Sequence, residues 1–117
     1  MLVTPARLRA VYVMLVQFPP FNRWSLPPAG EVVFYNITDP KDHGAYNFEK
    51  GKHRIGVNGE TCADLIHVER VMAHELVHLR QELLGRRPST KDDQHNREFY
   101  RMARLVCRNL GYQSEGF

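Results

Sequence analysis

The sequence predicts an α+β fold in which a small sheet supports two long helices, and three observations carry that prediction. β-Branched and aromatic residues gather in three short runs between residues 31 and 58, each bounded by turn-forming residues. Apolar residues recur at helical spacing near the N-terminus and again through the second half. Strands and helices are grouped rather than alternating, in the order α, β, β, β, α, α. At 117 residues the chain has the size of one domain, large enough to bury a core, so residues 1–117 are read as a single domain.

Thr4 before Pro5 is a helix start, with the cap and the first-turn proline in order. Leu8, Val11, Tyr12, Leu15 and Val16 then follow at helical spacing. The same stretch has arginines ahead of a short apolar run, which is also how a targeting segment begins. However, "PPFNRW" follows it in place of a small-x-small cleavage site, and the run is too short to span a bilayer. An amphipathic first helix, no membrane span and a cytoplasmic location are therefore expected. Cys62 and Cys107 are too few for a disulfide framework and read as free thiols.

Pro19, Pro20, Pro27 and Pro28 bracket an irregular connector that holds Trp24. "EVVFYNI" (31–37) reads as a strand, and "DPKDHG" is turn chemistry. "AYNFE" (45–49) and "HRIGVN" (53–58), joined by the polar "KGK", read as an antiparallel hairpin. The three-stranded sheet is thus antiparallel or mixed, and either "EVVFYN" or "HRIGVN" could be its edge.

A long helix is expected over residues 64–84, with Thr61 and Asp64 at capping-box spacing and Gly85 just past its end. Leu65, Val68, Met72, Leu76, Leu79 and Leu83 make one apolar face, and Ile66, Ala73, Val77 and Leu84 a second. A helix apolar over most of its circumference is central and buried. Its remaining side carries His67, Val71, His74, His78 and Gln81. Buried imidazoles need partners, and a metal ion is one way to supply them.

His74, Glu75 and His78 form H-E-x-x-H within "MAHELVHLRQ". Residues i and i+4 share a helical face about 6 Å apart along the axis, so both imidazoles can converge on one ion. Glu75 lies about 100° round the helix, outside the metal's immediate ligands but placed to take a proton from a water that zinc acidifies. Such a site needs a third protein ligand. His67 lies about 10 Å from His74 along the axis, and Cys62 is further still. The compact three-histidine pattern would need Gly at 81 and His at 84, where the chain has Gln81 and Leu84. The third ligand must therefore come from the last helix, which is expected to begin near Asp92 or Asp93 and to end before Gly111. Phe99, Met102, Ala103, Val106 and Leu110 form its buried face. His95 projects onto that face from the first turn. Glu98, about 60° to one side, is the competing ligand or a partner that orients one.

"HELVH" followed by "HNREF" is similar to the protease domain of the SprT-like (Spartan-type) zinc metallopeptidases. In that family an H-E-x-x-H helix is followed by H-G-x-x-F on the next helix. The resemblance covers about residues 44–110, including the hairpin, with Asn96 where the family usually has Gly. It implies a minimal zincin-like fold with His74, His78 and His95 holding one zinc ion, Glu75 as general base and Phe99 in the core. It also implies a protein or peptide substrate. Many relatives carry a C-terminal zinc module or DNA-binding tail; with no Cys or His after Leu110, a catalytic domain alone is expected here.

Zincins line their cleft with an edge strand that pairs with extended substrate, and an oxyanion donor belongs beside it. Tyr46, His53, Tyr100 and Tyr112 are candidates for that donor. Two other readings stand beside the peptidase: a zinc-stabilised binding module without turnover, and an ImmA-like protease acting on a regulatory protein. The formal charge of +3 permits an acidic partner. Arg97, Arg101, Arg104 and Arg108 form a stripe opposite the core face of the last helix that could meet nucleic-acid phosphates, although a solvated face partly paired with Glu98 explains it more simply.

Overall fold

The computed structural model describes residues 2–86 and 94–117, and its architecture is α+β: three helices and one three-stranded mixed sheet. Helix α1 (Pro5–Leu15) begins as expected, with Thr4 Oγ1 accepting the Arg7 amide at 3.1 Å and proline in the first turn. Its buried side, Leu8, Val11, Tyr12 and Leu15, lies against the core. The connector that follows contains two single 3₁₀ turns. Phe21 and Trp24 are buried there edge to face at 5.3 Å, and the Trp24 carbonyl accepts a bond from Arg80.

Strands β1 (Val32–Asn36), β2 (Gly44–Glu49) and β3 (Lys52–Val57) lie in the order β1-β3-β2. β2 and β3 form the expected antiparallel hairpin. Lys50 and Gly51 at its tip both have positive φ (52° and 76°), the conformation that a two-residue turn with right-handed strand twist requires. β1 pairs with β3 in parallel, so "HRIGVN" is the central strand and β1 and β2 are the edges. Val32, Phe34, Tyr46, Ile55 and Val57 form the sheet's contribution to the core.

Helix α2 (Leu65–Leu83) packs on β2, β3, α1 and α3. Its middle is wholly enclosed, with Met72, Ala73, Leu76, Val77 and Leu79 fully buried. The apolar faces do not stay buried to the ends: Leu65, Ile66, Leu83 and Leu84 are exposed. Nineteen residues span about 28 Å, whereas strands of five or six residues cover no more than ~20 Å, so the helix overhangs its sheet. The N-cap is Asp64, which accepts the His67 amide at 2.8 Å, and His67 Nδ1 in turn accepts the Ala63 amide. Thr61 is not part of this cap; its hydroxyl meets His43 Nδ1 instead. At the other end Arg86 N bonds Gln81 O and Gly85 N bonds Glu82 O, with Gly85 in the left-handed region, the motif expected there.

Helix α3 (Arg97–Leu110) buries Phe99, Met102, Ala103, Val106 and Cys107, half-buries Leu110, and stops at left-handed Gly111. Its cap is Asn96, whose side chain accepts the Phe99 amide at 3.0 Å. Asp92 and Asp93, expected as caps, lie outside the described residues. His95 therefore stands one residue before the cap rather than in the first turn. Cys62 and Cys107 are free and buried. Among the described residues no helix is long and apolar enough to cross a membrane.

Candidate metal centre

The central turns of α2 bring His74 and His78 together with imidazole centroids 5.1 Å apart, and the turn before α3 adds His95 at 5.0 and 5.1 Å from them. His95 Nε2 lies 3.1 Å from His74 Nε2 and 3.2 Å from His78 Nε2. A tetrahedral zinc ion with bonds of about 2.0–2.1 Å holds its nitrogen ligands roughly 3.3 Å apart. The three side chains thus form a group that could hold a metal ion.

The far side of each α2 ring supports that reading. His74 Nδ1 donates to the Phe117 carbonyl at 2.8 Å, and His78 Nδ1 lies 3.0 Å from Gln81 Oε1. An acceptor behind Nδ1 places the ring proton there and leaves Nε2 as a lone pair facing the partner histidines. His95 Nε2 can donate to only one of those two lone pairs, whereas a cation accepts all three nitrogens. Burial pushes His74 down to about 4, with His95 and Arg70 acting in the same direction against the bond to Phe117. Burial of its inner side likewise lowers His95. Neutral imidazoles are what a metal requires. Phe99 closes the floor, 1% exposed, with its ring centroid 4.9, 4.7 and 4.7 Å from His74, His78 and His95.

Glu98, the competing ligand, is turned elsewhere: its Oε2 pairs with Arg86 at 2.9 Å and lies 3.9 Å from Arg101. Glu75 is buried and lines a cleft of about 340 Å³ together with His74. The cleft runs from these two residues past Val71, Arg70 and His67 to the loop entering β2, where His43 and Gly44 form the opposite wall. His67 is thus a cleft residue, its ring 5.8 Å from that of His43. Gly44 brings the sheet close to the site. A Cβ there would stand 2.5 Å from Val71 Cγ1 and 2.9 Å from Glu75 Oε2.

Of the four candidate oxyanion donors, none is among the residues lining this cleft. Tyr46 is bonded to His53 Nδ1 at 2.6 Å, Tyr112 donates to Glu69, and Tyr100 is exposed beside a smaller cavity next to Phe99 and Phe117. Arg97, Arg101, Arg104 and Arg108 are all exposed on the outer side of α3.

Sequence reasoning missed three contributors. Phe117 reaches His74 because Arg70 Nη2 holds the carbonyls of Gln113 and Glu115 at 2.9 and 2.6 Å, and nothing in the local sequence of a loop announces that return. Gly44 carries only a weak signal, as the end of a turn. Gln81 was legible: a polar residue three positions after His78 on the same face of a buried helix needs a polar partner. No protein-family model, curated protein or solved structure matches the chain.

Proposed function

We propose that this chain is a single-zinc metallopeptidase of the SprT-like type, acting on protein or peptide substrates. The observation that carries the reading is the convergence of His74, His78 and His95, with His95 Nε2 at 3.1 and 3.2 Å from the other two Nε2 atoms, beside a cleft that also contains Glu75. A metal staple needs the three nitrogens but has no use for a buried carboxylate opening into the adjoining cleft. Zinc in this nest would supply Lewis acidity, lowering the pKa of water and polarising a carbonyl.

The protein's own groups account for the rest. His74 and His78 are held with Nε2 inward by their outer hydrogen bonds. Glu75, given room by the lack of a side chain at Gly44, takes the proton from the attacking water and returns it to the leaving amine. β2 is the edge strand that enters the sheet at the cleft, so its backbone is the one placed to pair with an extended peptide. Phe99, buried against the three imidazoles, keeps water from their inner side.

The test is Glu75→Gln, which preserves shape and removes the base. Zinc binding should be retained, and cleavage of an unfolded protein substrate should fall by roughly 10²–10⁴. Cleavage at the parent rate would reject Glu75 as the base. Stoichiometric zinc without turnover in the parent protein would favour the binding-module reading.

A further inference from the structure

Gln81 is a fully buried amide, and both of its ends are engaged. Oε1 lies 3.0 Å from His78 Nδ1, and Nε2 lies 3.3 Å from Asn96 Oδ1. Asn96 Oδ1 simultaneously accepts the backbone amide of Phe99 at 3.0 Å, as the cap of α3. This chain of contacts admits only one assignment of donors and acceptors. A backbone N–H can only donate, so Asn96 must present its oxygen. Gln81 must then approach with its NH₂, which turns its oxygen to His78. His78 must therefore carry its proton on Nδ1, and Nε2 faces His74 and His95 as a lone pair.

We propose that Asn96 and Gln81 are positioning residues of the metal centre, a relay by which the cap of α3 sets the tautomer and orientation of His78. The inference rests on the metal-centre reading given above. Asn96 acts on two ligands: it follows His95 directly, fixing the chain where that residue enters the site, and it reaches His78 through Gln81. The start of α3 and the affinity for metal are consequently one coupled property. An unaided glycine at this position, as in the pattern H-G-x-x-F, would have no side chain for either contact.

Three substitutions separate this role from a merely structural one. Asn96→Ser keeps a good cap, since serine ranks with asparagine at that position, but is too short to reach Gln81. Asn96→Asp retains an oxygen for both the Phe99 amide and Gln81. Gln81→Met fills the same space and removes the relay. Two readouts apply: the long-range ¹H–¹⁵N imidazole spectrum of the metal-free protein, and zinc affinity by competition with a chromophoric chelator. The parent protein and Asn96→Asp should show His78 protonated at Nδ1 and bind zinc within a few-fold of each other. Asn96→Ser and Gln81→Met should lose that single tautomer and bind zinc roughly 10–100-fold more weakly, the usual effect of losing an outer-shell partner. Should Gln81→Met fail to fold, the two Asn96 variants decide the matter. Parent-like tautomer and affinity in Asn96→Ser would overturn the relay and leave the metal centre standing; a parent protein that binds no zinc would remove the metal centre itself, and the relay with it.

Discussion

Gly44→Ala is a one-carbon perturbation aimed at the base without touching a ligand. Gly44 does not have positive φ, so alanine is tolerated by the backbone and any effect comes from the added methyl group. Its Cβ would stand 2.5 Å from Val71 Cγ1, more than 1 Å inside ordinary carbon–carbon contact, and 2.9 Å from Glu75 Oε2. Val71 cannot yield easily, being β-branched on a helix with one preferred rotamer. Either β2 lifts from α2 or the Glu75 carboxylate swings aside. Overpacking of this kind costs about 1–3 kcal/mol, equivalent to a fall in melting temperature of roughly 4–15 °C for a domain of this size. Moving the base by about 1 Å should lower kcat/KM on the order of 100-fold. Zinc affinity should stay within a few-fold of the parent, because the nearest neighbours of the new methyl group are Val71 and Glu75 rather than an imidazole. Adding Val71→Ala removes the worse clash and should restore stability more fully than activity, since the contact with Glu75 remains. The assay is a thermal melt, a zinc titration and a proteolysis rate on the four proteins of this cycle. Parent-like stability and rate in Gly44→Ala would refute the close approach and the role assigned to Glu75 together.

The remaining predictions concern the ligands. His95→Ala should weaken zinc binding by more than the roughly 10–100-fold typical of outer partners, and Glu98→Ala by only a few-fold, measured by chelator competition; the reverse order would restore Glu98 as the third ligand. Removing residues 113–117 takes the acceptor away from His74 Nδ1 and should weaken zinc binding by about 10–100-fold; an unchanged affinity would show that Phe117 does not orient that ring. The metal-free protein should lose stability on acidification. His74 is held at about 4 against an ordinary 6.5, so between those values the unfolded chain binds more protons and stability falls with pH. Urea unfolding should show a loss of about 2 kcal/mol between pH 7.5 and pH 5, with His95 acting in the same direction. A stability independent of pH over that range would contradict the half-buried, neutral His74.

Much of this fold was legible because its signals are local. The period of α2, the start of α1 at Thr4-Pro5 and the turn at Lys50-Gly51 all follow from side-chain chemistry within a few residues. The arithmetic of i and i+4 put His74 and His78 on one face; elimination left His95 and Glu98, and projection onto the core face of the last helix favoured His95. Sheet order was not legible, because nothing in "EVVFYN" distinguishes an edge strand paired in parallel from a central one; the partner is chosen by how the hairpin packs on α2. The start of α3 was misjudged because Asp92, Asp93 and Asn96 are all good caps. Asn96 takes that place, and it also receives a donor from Gln81 on another helix. Thr61 lost its place in the α2 cap for a similar reason, its hydroxyl being used by His43 from the loop before β2. The return of Phe117 to His74 spans 43 residues and depends on a backbone carbonyl, which has no sequence signature at all.

The central claim is a single zinc ion held by three histidines from two segments. An anomalous-difference map from crystals of the protein as purified, collected above and below the zinc edge, tests it most directly. The account predicts one peak per chain, about 2.0–2.1 Å from Nε2 of His74, His78 and His95, with Glu98 still paired to Arg86. A peak bonded to Glu98 in place of His95, or no zinc signal between these imidazoles, would contradict it.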